Sequence, residues 1–462
     1  MPNILDLPWE IFEGIYKHVI EDGDSYLWAM WTGARDSPPG TRTMTAKLRL
    51  VCRQWADWLY VHYLYHTITF GSASRALRFT KDQIARRSKN LPRARCHSLQ
   101  VIEILTWGPP PVDKNTPGLG ISMKLAKART RKPNDTITSE ILEGLIELFT
   151  DSIVKLNLRF WHVMSLPAST IEKIGRIENL RTMTLGHELP ETLPGPPQPL
   201  YPLYHNSSDE ELEQQLRRGE VADDDEDEPP TEMDPVKSKI DSDCLKSLIL
   251  ATRNLQSLDI SDLDPICLPK PISSSLSSHQ ILPTITHLDV NLEGQSLARL
   301  VDLSIALKGT LKVLSLKDQY GNNPGRMIVP VFENLRESLE GLFVPNDKIL
   351  KPVARFQFPK LRVFKTISWD GPIANLLEKP MISQSPIEVL ALRADIVDRK
   401  PKTKFLVNPF SNLPSLKRLL FYDVSPGYSA PPAYTEACAA RCVECVYLST
   451  MDSENVSLIM KL

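Results

Sequence analysis

The sequence contains little that would direct the chain into a membrane. None of its 462 residues lies in an apolar run that approaches the roughly eighteen residues a membrane-spanning helix needs. The N-terminus is not typical of a secretion signal, because Asp6, Glu10 and Glu13 interrupt its apolar residues and no basic stretch precedes them. The seven cysteines are odd in number and scattered, which is typical of reduced thiols rather than of a disulfide framework. These absences predict a cytoplasmic or nuclear protein.

The sequence also lacks an excess of either charge. Its 54 basic and 56 acidic residues give a formal net charge of −2, which favours neither nucleic acid nor a membrane surface as a partner. No strand-like segment is followed by a glycine-rich turn of the kind that holds phosphate, and no Gly-x-Ser-x-Gly sequence is present. None of the nine histidines lies in a recognisable catalytic context. We therefore expect a protein that is not an enzyme and has no cofactor.

One group of cysteines has a spacing similar to that of metal ligands. Cys438, Cys442 and Cys445 lie within eight residues of one another, but no histidine follows closely enough to supply the fourth ligand that zinc usually takes. Cys438 is surrounded by small residues, and the other two border a strand-like segment. We expect packed thiols here and no metal site.

Two segments near the N-terminus carry apolar residues at helical spacing. Leu7, Ile11 and Ile15 fall four residues apart, so on a helix they form one apolar stripe. A second stripe surrounds Val51 and Trp55, and two short helices with such faces can pack across one another. A module this small cannot bury both stripes within itself, so another part of the chain or another protein must cover them.

The order of these segments resembles a known interaction module. Leu-Pro-x-Glu-Ile followed by Leu-x-Leu-Val-Cys-Arg-x-Trp is similar to an F-box, by which substrate receptors of SCF-type ubiquitin ligases hold the Skp adaptor. The resemblance implies that residues 1–65 bind that adaptor and, through it, a cullin ligase. The connection at 21–46 is longer than is usual in the family, which implies an inserted loop or an altered surface. The residues that would contact the adaptor are Leu7, Pro8, Ile11, Ile15, Leu50, Val51 and Trp55.

A second pattern, L-x-x-L-x-L with L for any apolar residue, recurs along the remaining chain. From residue 255 onward its first positions are 22 to 30 residues apart, which is near the leucine-rich-repeat period. Each unit would offer one strand and a return segment, and would bury its apolar side only by stacking on its neighbours. The units begin at Leu99, Ile153, Leu180, Leu255, Ile285, Leu311, Leu339, Leu361, Ile387, Leu416 and Val443. Three of the sets are Leu99/Ile102/Ile104, Val443/Val446/Leu448 and Leu361/Phe364/Ile367, the last of which has an irregular final step.

This recurrence is similar to the irregular leucine-rich repeats of many F-box proteins. It implies an α/β fold with an F-box-like helical module at 1–65 and, at 66–462, a horseshoe-shaped solenoid with a parallel sheet. A doubly wound α/β sheet is the alternative, because it also alternates strand and helix. Two stretches interrupt the pattern: a basic, proline-rich loop at about 108–135, which is either a nuclear-import patch or a solvated loop, and an acidic insertion at about 189–238, which we expect to be disordered. Ser207 and Ser208 in that insertion are candidate phosphorylation sites or part of an inert spacer.

The residues between the apolar positions would point to the concave side of such a sheet and form a broad binding face. Their mixed chemistry names no ligand, so we expect an unidentified protein substrate. The function implied is that of a substrate-recognition adaptor; the alternatives are a repeat scaffold unconnected to a ligase and an α/β enzyme with a cryptic site. The candidate substrate-binding residues are Asp259, Asp289, Phe343, Arg393 and Tyr422, with Ser315, Lys365, Ala391 and Leu420 on the same face.

Overall fold

In a computed structural model, most of the chain after residue 52 forms one continuous sheet covered by short helices. The residues that the structure describes are 10, 11, 13, 14, 53–105, 135–160, 164–187, 244–263, 284–292, 296–317, 325–399, 405, 407–425, 427–449 and 456–462. The expected acidic insertion at 189–238 lies outside these residues, as does the basic loop at 108–135 apart from its last residue.

The sheet has twelve parallel strands, and each strand pairs with the next one in the sequence. Its order does not reverse among the described strands, whereas a doubly wound sheet reverses at a switch point. The α/β class is confirmed, and the open sheet is compatible with a solenoid-like arrangement. The strands are β1 Thr67–Phe70, β2 Ser98–Ile104, β3 Lys155–Phe160, β4 Thr182–His187, β5 Ser257–Asp262, β6 His287–Asn291, β7 Val313–Lys317, β8 Gly341–Asn346, β9 Val363–Ser368, β10 Val389–Arg393, β11 Arg418–Val424 and β12 Glu444–Ser449.

Short helical segments connect the strands, and their apolar side chains share one core cluster with one face of the sheet. None of the helices in the described part of the chain is long and apolar enough to cross a bilayer. The α-helices are Arg53–His62, Ala73–Ser88, Ser139–Phe149, Ala168–Gly175, Ser296–Ala306, Val329–Leu335, Ile373–Leu377, Pro380–Ser383, Ala394–Arg399, Pro432–Ala439 and Val456–Lys461. Residues 244–251 are also helical, and 3-10 turns cover Gly325–Ile328, Asp347–Val353 and Pro409–Asn412.

The recurring apolar positions form continuous rows across the helix-covered face. Leu258, Leu288, Leu314 and Leu342 pair in register from β5 to β8, and each is at most 1% exposed. Removing a leucine side chain from water contributes about 1.5–3 kcal/mol, which one isolated unit could not obtain because its own strand and helix leave the row uncovered. Stacking in register is therefore the source of the core.

The expected burial of Ile367 in β9 is wrong. Ile367 is 37% exposed, whereas Thr366 is fully buried. Successive side chains of a strand point to opposite faces, so Thr366 lies on the same face as the buried Phe364. The hydroxyl of Thr366 donates to the carbonyl oxygen of Ser368 at 2.8 Å, which satisfies a polar group in the core.

In two further strands, core positions lie one residue away from those expected from the sequence. In β2, Val101 rather than Ile102 is fully buried and pairs with Leu158. The pairing then shifts next to Glu103, whose φ of 58° returns Ile104 to the core.

In β12, Cys445 and Tyr447 pair with the core residues Leu419 and Phe421. Val446 and Leu448 therefore point to the opposite face, because a shift of one residue reverses every side chain of a strand. The ring of Tyr447 stacks on that of Phe421, with centroids 5.6 Å apart.

Parts of the two N-terminal segments with apolar stripes lie within the described residues. Residues 10, 11, 13 and 14 are helical, and Trp55 lies in the helix Arg53–His62. The Tyr63 hydroxyl donates to Glu13 Oε1 at 2.9 Å and so joins the two segments. Ile11 is 50% exposed. The other adaptor-contact residues of the resemblance lie outside the described residues: Leu7, Pro8, Ile15, Leu50 and Val51.

The corrected register of β9 leads to a stability prediction. We expect Leu392→Ala to lower the free energy of unfolding by about 2–5 kcal/mol, because it opens a cavity in a fully buried row. Ile367→Ala, at the position expected from the sequence to be equivalent, should cost less than about 1 kcal/mol because its side chain is already partly in water. Urea unfolding followed by circular dichroism measures both values, and equal losses would contradict the register.

Candidate binding surface on the sheet

The face of the sheet opposite the main helical layer, here called the front face, carries one continuous central row of side chains. These side chains alternate with the core positions, and each pairs in register with its neighbour on the next strand. From β3 to β12 the row consists of Asn157, Thr184, Asp259, Asp289, Ser315, Phe343, Lys365, Ala391, Leu420 and Val446.

The row divides into a polar part and an apolar part. From Asn157 to Ser315 every member is polar, whereas from Phe343 to Val446 every member except Lys365 is apolar. A sheet with one face in water favours strands in which apolar and polar residues alternate. A sheet buried on both faces favours nearly continuous apolar strands. The strands show this change: β3 reads KLNLRF, while β10 reads VLALR.

Two carboxylates form the centre of the polar part. Asp259 and Asp289 are register neighbours on β5 and β6. Burial raises the pKa of Asp289 to about 6, with a further contribution from the charge of Asp259. A hydrogen bond with Ser315 and the charges of Lys317 and Lys365 act in the opposite direction. Asp289 is thus a carboxyl group that can change charge near neutral pH.

Asp259 is held by a short hydrogen-bond chain. Its Oδ1 accepts from the backbone N–H of Ser261 at 3.0 Å and from the Ser261 hydroxyl at 2.6 Å. The Ser261 oxygen accepts in turn from Lys317 Nζ at 2.8 Å. This chain orients a carboxylate, a hydroxyl and an ammonium group at one place on the front face, which gives the polar part directional donors and acceptors for a ligand.

A glycine allows an ion pair to form across three strands. Arg159 on β3, Gly186 on β4 and Asp262 on β5 lie in register, and the guanidinium Nη2 of Arg159 is 3.0 Å from Asp262 Oδ2. A Cβ at position 186 would lie 2.9 Å from the Cβ of Asp262, which is closer than real side chains approach. Glycine at the middle strand therefore leaves the space over which the two charges meet.

The apolar part is covered by the chain itself. The helix Val456–Lys461, here called the last helix, places Ile459 and Met460 against the sheet, where they are 0% and 9% exposed. Arg362 Nη2 donates to the carbonyl oxygen of Met460 at 2.6 Å. The sheet residues of this cluster are Val313, Phe343, Val363, Val389, Ala391, Leu420 and Tyr422, with Val446 and Leu448 packed at its edge.

Lys365 is a charged residue within the apolar part of the row. Its Nζ lies 4.3 Å from the ring centroid of Tyr422 and 5.8 Å from that of Phe343, so both rings stabilise the ammonium group. The Tyr422 hydroxyl donates to the carbonyl oxygen of Thr366 at 2.9 Å, and burial raises its pKa well above the usual value. This tyrosine is therefore an uncharged, hydrogen-bonded side chain at neutral pH.

The five candidate substrate-binding residues all lie on the front face, but in different surroundings. Asp259 and Asp289 belong to the polar part, whereas Phe343 and Tyr422 are 4% and 2% exposed within the apolar cluster. Arg393 pairs with two carboxylates, Asp395 at 2.9 Å and Asp423 at 3.3 Å. Sequence reasoning did not identify the last helix as a cover, although the nearly continuous apolar strands β7 to β11 indicate that their front face is buried.

The cysteine group near the end of the chain shows no geometry of a metal centre. Burial raises the pKa of Cys438 well above its usual value, and the neighbouring Cys445 thiol raises it further. A thiol of this kind is protonated and packs as a small apolar group. Across the residues that the structure describes, no three His, Cys, Asp or Glu side chains are close enough to hold a metal ion.

No protein-family model and no curated protein matches the sequence. The surface is therefore interpreted from its own chemistry.

The raised pKa of Asp289 predicts an unusual dependence of stability on pH. An aspartate in the unfolded chain has a pKa of about 4, so between about pH 4 and 6 the folded protein binds a proton that the unfolded chain has released. Folding is therefore favoured as pH falls through this window, and above about pH 6 the buried charge opposes it. Asp289→Asn should raise the free energy of unfolding at about pH 7.5 by about 1–3 kcal/mol, and the gain should disappear near pH 4.

Urea unfolding of both proteins at several pH values measures this difference. The exposed Asp370 provides a matched control, since Asp370→Asn changes the same chemical group outside the front-face cluster. A destabilised Asp289→Asn at neutral pH, or a gain that does not depend on pH, would contradict the assignment.

Proposed function

We propose that this chain is the substrate-recognition subunit of an SCF-type ubiquitin ligase. Residues 1–65 would hold the Skp adaptor as an F-box, and the twelve-stranded sheet would be a leucine-rich-repeat solenoid whose front face binds the target protein. The chain would catalyse nothing itself. It would hold target and ubiquitin-carrying enzyme in one assembly, which raises their effective concentration.

The exposure of Ile11 is the observation that carries the adaptor-binding part of this proposal. An isoleucine that is 50% exposed on a helix leaves apolar surface in water, and it belongs to the stripe that resembles the adaptor contact of an F-box. Single exposed apolar residues are common on protein surfaces. It is the position of Ile11 within the two-part motif that favours a docking role.

The helix that ends the motif packs against the core of the sheet, which supports a fixed geometry between a bound adaptor and a bound target. Tyr60, on the helix that contains Trp55, belongs to the core cluster of the sheet and accepts a hydrogen bond from Gln83 Nε2 at 2.6 Å. The guanidinium carbon of Arg86 lies 3.8 Å from the centre of the Tyr60 ring. A helix packed in this way moves with the sheet, and a ligase needs a defined distance between adaptor and target.

The polar part of the front face is the surface best suited to the target. It offers carboxylate, hydroxyl, amide and ammonium groups over several strands, which fits the varied side chains of a protein surface better than it fits one small molecule. Both charge signs are present, with Asp259 and Asp289 beside Lys317. Such a pattern favours selection of a partner by complementary charges.

Binding to the Skp adaptor tests the proposal directly. We expect Ile11→Asp to weaken co-purification of the adaptor by at least about tenfold, because a charge at an apolar contact must be desolvated. Leu7→Ala/Pro8→Ala should have the same effect. The matched control is Ile305→Asp, which puts the same charge at a 53% exposed isoleucine on the helix Ser296–Ala306.

Thermal unfolding of each variant shows whether the fold is retained. Adaptor binding that is unchanged in Ile11→Asp and in Leu7→Ala/Pro8→Ala would contradict the ligase role. That outcome would favour a repeat scaffold in which the N-terminal helices cap the sheet.

A further inference from the structure

We infer that the helix Ala73–Ser88, here called the basic helix, is a docking surface for an acidic segment of a partner protein that carries aliphatic residues among its carboxylates. This helix packs on the core under the helical layer, away from the front face. The basic helix is therefore a second binding surface, and its role does not depend on the proposed ligase function.

Charge of one sign is concentrated in the basic helix and just after it. Residues 75–95 contain eight basic side chains and one acidic side chain, Asp82, in a chain whose 54 basic and 56 acidic residues otherwise nearly balance. Seven of the eight cations are exposed, and the eighth, Arg86, lies over the Tyr60 ring. Among the described residues, no carboxylate forms an ion pair with any of the eight. The segment therefore presents an uncompensated positive field to the solvent.

Several of these cations stand where they oppose helix formation. Arg75 and Arg78 lie near the start of the basic helix, where the macrodipole is positive and favours acidic side chains. Arg75, Arg78 and Lys81 follow one another at three-residue spacing, which places like charges side by side. The carboxylate of Asp135 reaches this end, but it accepts from the N–H of Ser74 at 2.7 Å and from the Ser74 hydroxyl at 2.6 Å. A negatively charged ligand would relieve the repulsion that remains.

The carboxylates of the neighbouring helix are already paired. This helix, Ser139–Phe149, packs beside the basic helix. Its Glu143 and Glu147 form ion pairs with Lys173 at 2.9 and 2.6 Å. Their charge is therefore balanced within the helical layer, and the positive field of residues 75–95 stays available to a ligand.

Two aliphatic side chains are exposed among the cations. Leu77 is 45% exposed and Ile84 is 58% exposed, whereas Ala76 on the buried side of the helix is 0% exposed. Leu77 and Ile84 share one stripe with Lys81 and Ser88, because positions i, i+4, i+7 and i+11 lie on one face of a helix. Seven residues separate the two aliphatic side chains, which is about 10 Å along the helix axis.

These features favour a protein segment over a nucleic acid or a membrane. Single-stranded nucleic acids stack their bases on aromatic rings, but Phe79, the one aromatic residue in 75–95, packs edge-on against Tyr65 and Phe70. A helix that lies in a bilayer surface turns a continuous apolar face to the lipid. Here the charged Lys81 stands between the two exposed aliphatic residues.

An acidic protein segment matches both features of the surface. Its carboxylates would pair with the exposed cations, and aliphatic side chains seven residues apart on a helix would meet Leu77 and Ile84. Complementary charge would orient the encounter, and the apolar contacts would distinguish this partner from other polyanions.

Binding measurements on the full chain test this assignment. The probe is a fluorescent synthetic helical peptide of glutamate and alanine that carries two leucines seven residues apart. The comparison peptide has alanine in place of both leucines. Fluorescence anisotropy measures the binding of each peptide and of an oligo-dT strand of similar charge, and co-sedimentation measures the binding of vesicles of phosphatidylcholine and phosphatidylserine.

We expect Arg78→Glu/Lys81→Glu to weaken binding of the leucine peptide at least about tenfold, because it reverses two charges that attract the carboxylates. The matched control is Arg355→Glu/Lys360→Glu, which makes the same replacements at two exposed residues outside the basic helix and should leave binding unchanged. Raising the salt concentration from about 50 mM to about 500 mM should also weaken binding at least about tenfold, because salt screens exposed charges.

A second variant tests the apolar contacts. Leu77→Ser/Ile84→Ser should weaken binding of the leucine peptide several-fold and leave binding of the comparison peptide unchanged, since only the first peptide has side chains to meet them. Circular dichroism shows that each variant retains the fold.

Three results would overturn the assignment. Equal affinity of the wild type for the two peptides would show only a general attraction of polyanions. Tighter binding of the oligo-dT strand or of the vesicles than of the leucine peptide would assign the surface to a nucleic acid or to a membrane. Equal losses in Arg78→Glu/Lys81→Glu and in its control would show that net charge, and not this helix, governs binding. None of these results involves the Skp adaptor, so the two proposals can fail separately.

Discussion

The in-register stacking of parallel strands is the constraint on which the remaining structure depends. A single strand with its return segment leaves one row of leucines partly uncovered, and the next unit covers it. The aligned row from Leu258 to Leu342 shows this arrangement, since every member is buried by its neighbours on both sides. Because the core is shared in this way, the register of each strand determines which of its side chains reach the front face.

The front face follows from that register, and its two parts follow from what covers them. In the polar part, Asp259, Asp289 and Ser315 lie side by side in the row. Asp259 has defined hydrogen bonds, and burial raises the pKa of Asp289. Where the strands are apolar throughout, the last helix lies on them. The same sheet therefore presents a polar surface beside an apolar region covered by the last helix, and within that region Lys365 lies against two aromatic rings.

Much of the fold could be predicted because repetition is visible in sequence. Most of the apolar sets fall on strands with their expected buried residues, since the period of each unit is set by local spacing. The sets at Ile102 and Val446 were wrong by one residue, because apolar residues stand side by side there and spacing alone cannot say which one faces the core. The set at Ile367 was wrong because the core position is Thr366, a polar residue that an apolar pattern passes over. Pairing with the neighbouring strand decided each case.

The sequence by itself determined the α/β class, the repeated strands and the set of residues that alternate with the core. These are local properties, fixed by which side chains are apolar and how far apart they stand. Only the tertiary structure decided that Arg159 meets Asp262 across Gly186, and that Met460 fills the space beside Gly341. Those contacts join residues more than 100 positions apart, and no local pattern specifies which distant segments will meet once the strands have stacked.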